Sequence, residues 1–97
     1  MIRHVALFTL KADAPEGTIR SLEEGLAEVE RLVDVLSAYS YGPDLGLREG
    51  CYDFGVVADF ASADDFQTYV DHPAHQDFIR ARLTPVLRER VSIQFEL

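Results

Sequence analysis

Apolar positions recur at every second residue in some parts of the chain and at three- and four-residue steps in the parts between them, a mixed strand and helix signature. Ile2 to Lys11 is rich in β-formers, with Ile2, His4, Ala6, Phe8 and Leu10 on one face and Val5 and Leu7 on the other. A strand apolar on both faces needs cover on both, by helices on one side and by another sheet or subunit on the second. After a turn containing Asp13, Pro15 and Gly17, the residues Ile19, Leu22, Leu26, Val29, Val33 and Leu36 trace one stripe of an amphipathic helix. Its start is open between Pro15, Thr18 and a Ser21/Glu24 capping box.

Leu36 to Tyr41 reads as a second strand closed by Gly42-Pro43-Asp44, and the polar stretch to Gly50 reads as a loop or short arm. Tyr52 to Phe60 alternates as a third strand, with Tyr52, Phe54, Val56, Ala58 and Phe60 on one face. Ser62-Ala63-Asp64-Asp65 then offers a capped helix start, and Phe66, Tyr69 and Val70 form the buried stripe that follows. Pro73 disfavours helical geometry at His72, so this helix breaks there and restarts with Pro73 in its first turn. His75, Phe78, Ile79, Arg82 and Leu83 follow on a second short helix that Thr84-Pro85 interrupts. Val91, Ile93, Phe95 and Leu97 alternate with Ser92, Gln94 and Glu96 in a last strand. The order β-α-β-β-α-β predicts an α+β, ferredoxin-like fold, an antiparallel sheet with its helices on one face, formed by residues 1–97 as a single domain.

Composition narrows the partners. A chain of 97 residues with 47% hydrophobic content supports one core, and a domain this small gains from pairing with a second copy, so a homodimer is expected. Seventeen acidic against nine basic residues give a net charge of -8, which repels a phosphate backbone; nucleic acid is not an expected partner. Arg80, Arg82, Arg88 and Arg90 are interleaved with apolar residues and read as the wet face of a helix. The lone Cys51 has no partner for a disulfide and no Cys/His spacing around it. With no signal-peptide pattern and no run of membrane-spanning length, a soluble cytoplasmic protein without a membrane partner is expected.

His4 lies on an apolar strand face, where an imidazole must be hydrogen-bonded; it is either a pocket residue or a satisfied core histidine. His72 and His75 are three residues apart, but Pro73 disturbs the helix between them and no dense ligand cluster surrounds them, so no metal is expected. His72 is assigned to the turn before Pro73. The small Ala6 and Ala58 leave room for a cavity beside the sheet, although aromatics such as Phe8, Phe54 and Phe78 at these spacings also build ordinary cores.

The opening Ile2-Arg3-His4-Val5-Ala6-Leu7-Phe8, the Tyr41-Gly42-Pro43-Asp44 turn and, most specifically, Tyr69-Val70-Asp71-His72-Pro73-Ala74-His75 resemble the stress-responsive A/B-barrel (Dabb) family of dimeric α/β barrels. The resemblance runs over essentially the whole chain. It implies the ferredoxin-like fold, dimeric assembly and no cofactor. In the polyketide cyclases of this family a tyrosine and the second histidine of the motif perform acid–base work on a linear poly-β-ketone, and these match Tyr69 and His75; His4 matches a pocket histidine. Phe54 and Leu26 stand where such cyclases carry a histidine and a tyrosine, which implies a more apolar pocket. The implied substrate-binding set is His4, Ala6, Phe8, Leu26, Phe54, Val56 and Phe78, with a small apolar carbonyl or aromatic ligand.

His75 as base and the Tyr69 hydroxyl as donor to a developing enolate would suffice for an aldol-type cyclisation. In the competing reading Tyr69 packs with its hydroxyl on a backbone group and His75 braces the broken helix. The function classes that follow are a cyclase-like enzyme, a non-catalytic stress-associated binding or interaction module, and a cofactor-free monooxygenase-like enzyme.

Overall fold

A computed structural model describes residues 1–97. The elements are β1 (Ile2–Leu10), α1 (Thr18–Leu32), β2 (Ala38–Pro43), β3 (Phe54–Phe60), α2 (Ala63–Asp71), α3 (Pro73–Phe78), which runs on into a π-helical turn at Ile79–Leu83, and β4 (Leu87–Glu96). All strand pairs are antiparallel and the sheet order is β2-β3-β1-β4, the ferredoxin-like arrangement. No helix is long and apolar enough to cross a membrane.

The period-two pattern of β1 and β3 decides which face the helices cover. Ala6 and Phe8 lie opposite Val56 and Phe54, and these residues, with Ala58 and Phe60, are buried. Leu22, Leu26 and Val29 of α1, with Val33 just beyond it, close over them, all at most 2% exposed. Full burial of each such side chain is worth about 1.5–3 kcal/mol, so this stripe holds α1 to the sheet. Gly25, in the same stripe, lets α1 approach α3: a Cβ built there would lie 2.5 Å from Cδ of Arg82 and 2.7 Å from the Phe78 ring.

The opposite face of the sheet has no cover. It carries Leu7, Val91, Ile93 and Phe95, all exposed at 37–59%. Val91, Ile93 and Phe95 of β4 therefore point away from the helices, and Arg90, Ser92 and Gln94 between and beside them point toward the helices. On the same open face Asp59 takes a two-point hydrogen bond from the guanidinium of Arg3, its cross-strand neighbour, at 2.8 and 2.9 Å. That pairing, with the charge on Arg3, holds the Asp59 carboxyl below its usual range.

Several boundaries sharpen or correct the sequence reading for local physical reasons. Of the three starts the sequence leaves open for α1, the structure has the one at Thr18; the left-handed Gly17 (φ 88°) is its cap and no side chain caps it. Glu24 pairs with Arg20. Strand β2 runs on through Gly42 to Pro43, which an edge strand tolerates because no neighbour needs the missing N–H. Strand β3 begins at Phe54, since the Asp53 carboxylate turns back to accept from the Leu10 backbone N–H at 2.7 Å.

The largest difference is at the C-terminal end, where β4 begins at Leu87, so Arg88 and Arg90 are strand residues and not the wet face of a helix. An irregularity opposite Thr9 and Leu10 skips Arg88, which keeps Leu87 on the core side together with Arg90, Ser92 and Gln94.

Candidate active site

The floor of the site is made by the small residues of the central strands. His4, Ala6 and Phe8 of β1 lie directly opposite Gln94, Ser92 and Arg90 of β4, and Ala6 lies opposite Val56 of β3. Alanine and serine facing each other leave a hollow that the helices do not fill. The result is an open cavity of about 200 Å³ between the sheet and the helices α1, α2 and α3, whose walls include Leu26, Phe66, Tyr69, Val70, His75, Phe78 and Ile79. Ile79 opens the π-helical turn, which is closed by the bond from Thr84 N–H to the Ile79 carbonyl at 2.8 Å.

The break between α2 and α3 is what brings Tyr69 and His75 together. The ring of His72 caps α3 by accepting from the Ala74 N–H at 3.0 Å, and Pro73 fills a helix position that needs no donor. After this break His75 turns back, and its ring centroid lies 4.3 Å from that of Tyr69. His75 Nδ1 sits 3.2 Å from the Val70 carbonyl oxygen, which can only accept. The proton therefore resides on Nδ1, and Nε2 keeps the lone pair.

His4 has the complementary arrangement. The side-chain amide nitrogen of Gln94 donates to His4 Nδ1 at 2.8 Å, which places the histidine proton on Nε2. One imidazole of the site thus carries a free basic nitrogen and the other a free N–H. Burial lowers the pKa of both, His75 lowers that of His4 further, and the Arg90 guanidinium works in the same direction on each. For His75 the Val70 carbonyl opposes the shift.

Tyr69 is 3% exposed, and its hydroxyl meets that of Tyr39, from β2, at 3.0 Å. Burial raises the pKa of Tyr69, and Tyr39, itself raised by burial first and by Tyr69 next, partly offsets that rise. Both phenols are neutral at neutral pH, and when Tyr39 donates to Tyr69 the Tyr69 O–H is left to donate elsewhere. His4 packs on Phe66 and Tyr69 at centroid distances of 5.1 and 6.2 Å. Every buried side-chain nitrogen and oxygen in the protein has a hydrogen-bond partner.

His4, Ala6, Phe8, Leu26, Val56, Tyr69, His75 and Phe78 all line this one cavity. Phe54 does not. It stacks on Phe8 at 6.3 Å toward the far end of the sheet and is 2% exposed, because its register places it beside Pro43 in the core and not beneath the helices of the motif. The sequence reading missed Tyr39 and the polar row Arg90, Ser92 and Gln94. The signal for the row was present: polar residues alternating with Val91, Ile93 and Phe95, which had to face the opposite way. No group of three or more His, Cys, Asp or Glu side chains is placed to hold a metal ion.

The stress responsive A/B barrel domain matches residues 2–97 of this chain. The protein belongs to that family. A stress-response A/B barrel domain-containing protein of Arabidopsis thaliana is 29% identical over 80 residues, covering 79% of this chain and 72% of that one. Among solved structures, a dimeric ferredoxin-like protein of unknown function from Thermobifida fusca superposes with a TM-score of 0.91 at 38% identity, covering 99% of this chain and 90% of its own. A Dabb family protein from Mesorhizobium loti has a TM-score of 0.80 at 26% identity, with 99% and 95% covered. A hydroxynitrile lyase from Passiflora edulis shares the fold, with a TM-score of 0.82 at 17% identity and coverage of 97% and 90%.

Proposed function

We propose that this A/B barrel protein is an acid–base enzyme that binds a small, largely apolar carbonyl compound in the cavity and cyclises it by an intramolecular aldol-type step, in the manner of a polyketide cyclase. The observation that carries this reading is the pairing of a free imidazole nitrogen on His75 with the phenol of Tyr69 in the wall of one open cavity. His75 Nε2 removes a proton from a carbon beside a ketone, in diacetylacetone the terminal methyl that must bond to the far carbonyl carbon to close a six-membered ring, and Tyr69 donates a hydrogen bond to the enolate oxygen. The enolate carbon then attacks a second carbonyl of the same molecule. The imidazolium returns its proton to the resulting alkoxide, and loss of water completes the ring. His4, with its N–H on Nε2, orients a polar group of the ligand, and Ala6, Phe8, Leu26, Val56 and Phe78 contact its apolar part.

Cavity size restricts the substrate. At about 200 Å³ it lies below the roughly 300–1,000 Å³ of pockets for drug-sized ligands, which favours a short poly-β-ketone. Diacetylacetone, which closes to orcinol with loss of one water, is a fitting probe. The expected result is orcinol formation by the wild type and its loss in the Tyr69→Phe, His75→Ala double variant; conversion by the double variant at the wild-type rate would sink the mechanism. A lyase reaction using the same pair is the second reading, favoured by the shared fold of the Passiflora edulis hydroxynitrile lyase.

The working unit is a cytoplasmic homodimer in this proposal. The uncovered apolar sheet face of Leu7, Val91, Ile93 and Phe95, together with the dimeric state of the Thermobifida fusca relative, supports the pairing. The exposed, unpaired Cys51 suits a reducing compartment.

A further inference from the structure

The cavity has a second chemical character that the Tyr69–His75 pair does not use. Its β4 wall presents Arg90, Ser92 and Gln94, three polar residues in a row on one side of a strand, and Gln94 is already engaged with His4. Arg90, across from Phe8, takes part in no ion pair, whereas Arg3, Arg20, Arg31, Arg80 and Arg82 each have a carboxylate partner. In a chain with 17 acidic residues and a net charge of -8, the lining of this cavity contains no carboxylate at all. A guanidinium with five donors and no acceptor in reach, at the edge of an apolar cavity, is arranged for a planar anion brought by the ligand.

Resting on the small-carbonyl reading of the same cavity, we infer that its ligand is a keto acid, whose carboxylate pairs with the Arg90 guanidinium beside the Ser92 hydroxyl while its ketone lies toward Tyr69 and His75. The apolar middle of the ligand passes over Ala6 and Val56. Arg90 is then a specificity residue: it selects a charged end and fixes which carbonyl reaches the acid–base pair. A charge-assisted hydrogen bond at a solvent-open rim gives selectivity of about tenfold, and salt screening weakens it.

The test is titration of β-benzoylpropionate and of its neutral amide, followed by the NMR signals of the His75 and Tyr69 side chains. Wild type is expected to bind the acid about tenfold more tightly than the amide at low ionic strength. Arg90→Gln should equalise the two by weakening the acid alone, and Arg90→Lys should restore part of the difference. Arg88→Gln, which removes the same charge from the neighbouring irregularity of β4, should leave the preference intact. Equal binding of acid and amide by wild type, or a preference that survives in Arg90→Gln, overturns the inference while leaving the cavity reading in place. Arg90-dependent preference without orcinol formation from diacetylacetone upholds the inference and overturns the cyclisation. Failure of both compounds to bind overturns the inference, and absence of orcinol formation as well overturns the cavity reading.

Discussion

The hydroxyl pair Tyr39–Tyr69 ties the edge strand β2 to the wall of the cavity, and its removal has a computable signature. The oxygens are 3.0 Å apart and Tyr69 is 3% exposed, so Tyr39→Phe leaves the buried Tyr69 hydroxyl without its protein partner. An orphaned buried hydroxyl costs about 1–3 kcal/mol, while replacing both members by apolar groups of the same shape is nearly neutral. Each single Tyr→Phe change should therefore destabilise by roughly 1–2 kcal/mol, the lower end applying to Tyr69→Phe because the half-buried Tyr39 can turn toward water. The double variant should cost no more than the worse single one, a coupling of about 1 kcal/mol. For a chain of this length each kcal/mol moves Tm by about 4–8 °C. Urea unfolding of the four proteins at one protomer concentration reads the cycle, so that any self-association affects all four alike. Strictly additive single effects would mean that the two hydroxyls do not satisfy each other.

Three further outcomes are expected. Burial holds His75 and His4 below the usual 6.5, so the unfolded chain takes up protons before the native one does as pH falls. Their contribution to stability is complete above pH 6.5 and is lost as pH falls through the native pKa values; urea midpoints across that window should drop less steeply in His75→Gln. Gly25→Ala gains about 1 kcal/mol of helix propensity but drives a methyl into Phe78, an overpacking cost of about 1–3 kcal/mol. Calorimetry should find it neutral to destabilised, with weaker diacetylacetone binding as Phe78 is pushed into the cavity. Ile93→Asp, on the open sheet face, should convert a dimer to monomer in sedimentation equilibrium; a wild type that sediments as a monomer would remove the basis for the pairing.

The fold was legible in this sequence because its periodicities are clean where the core is. The β1 and β3 alternation and the α1 stripe from Ile19 to Val33 each point one way, and the His-Pro break fixes where α2 ends. Much of the cavity lining lies on these same faces, with Ala6 and Val56 on the strands and Leu26 on α1. What stayed hidden depends on contacts between elements distant in sequence. Tyr39 reads as an ordinary strand aromatic until β2 is placed at the sheet edge above Tyr69. Arg90 reads as a helix-face cation until the irregularity at Arg88 turns it toward the site. Phe54 lies outside this cavity because residues two apart on one face share a side of the sheet but not a position along it, and the cavity spans only part of the strand's length.

The protonation state of His75 decides whether it can act as the base. Heteronuclear NMR of the imidazole nitrogens reads it without any assumed substrate. The predicted spectrum has His75 protonated on Nδ1, with a bare Nε2 at neutral pH, titrating below 6.5 and shifting at Nε2 when diacetylacetone is added. A His75 that carries its proton on Nε2, or that is already an imidazolium at neutral pH, would contradict its role as the base.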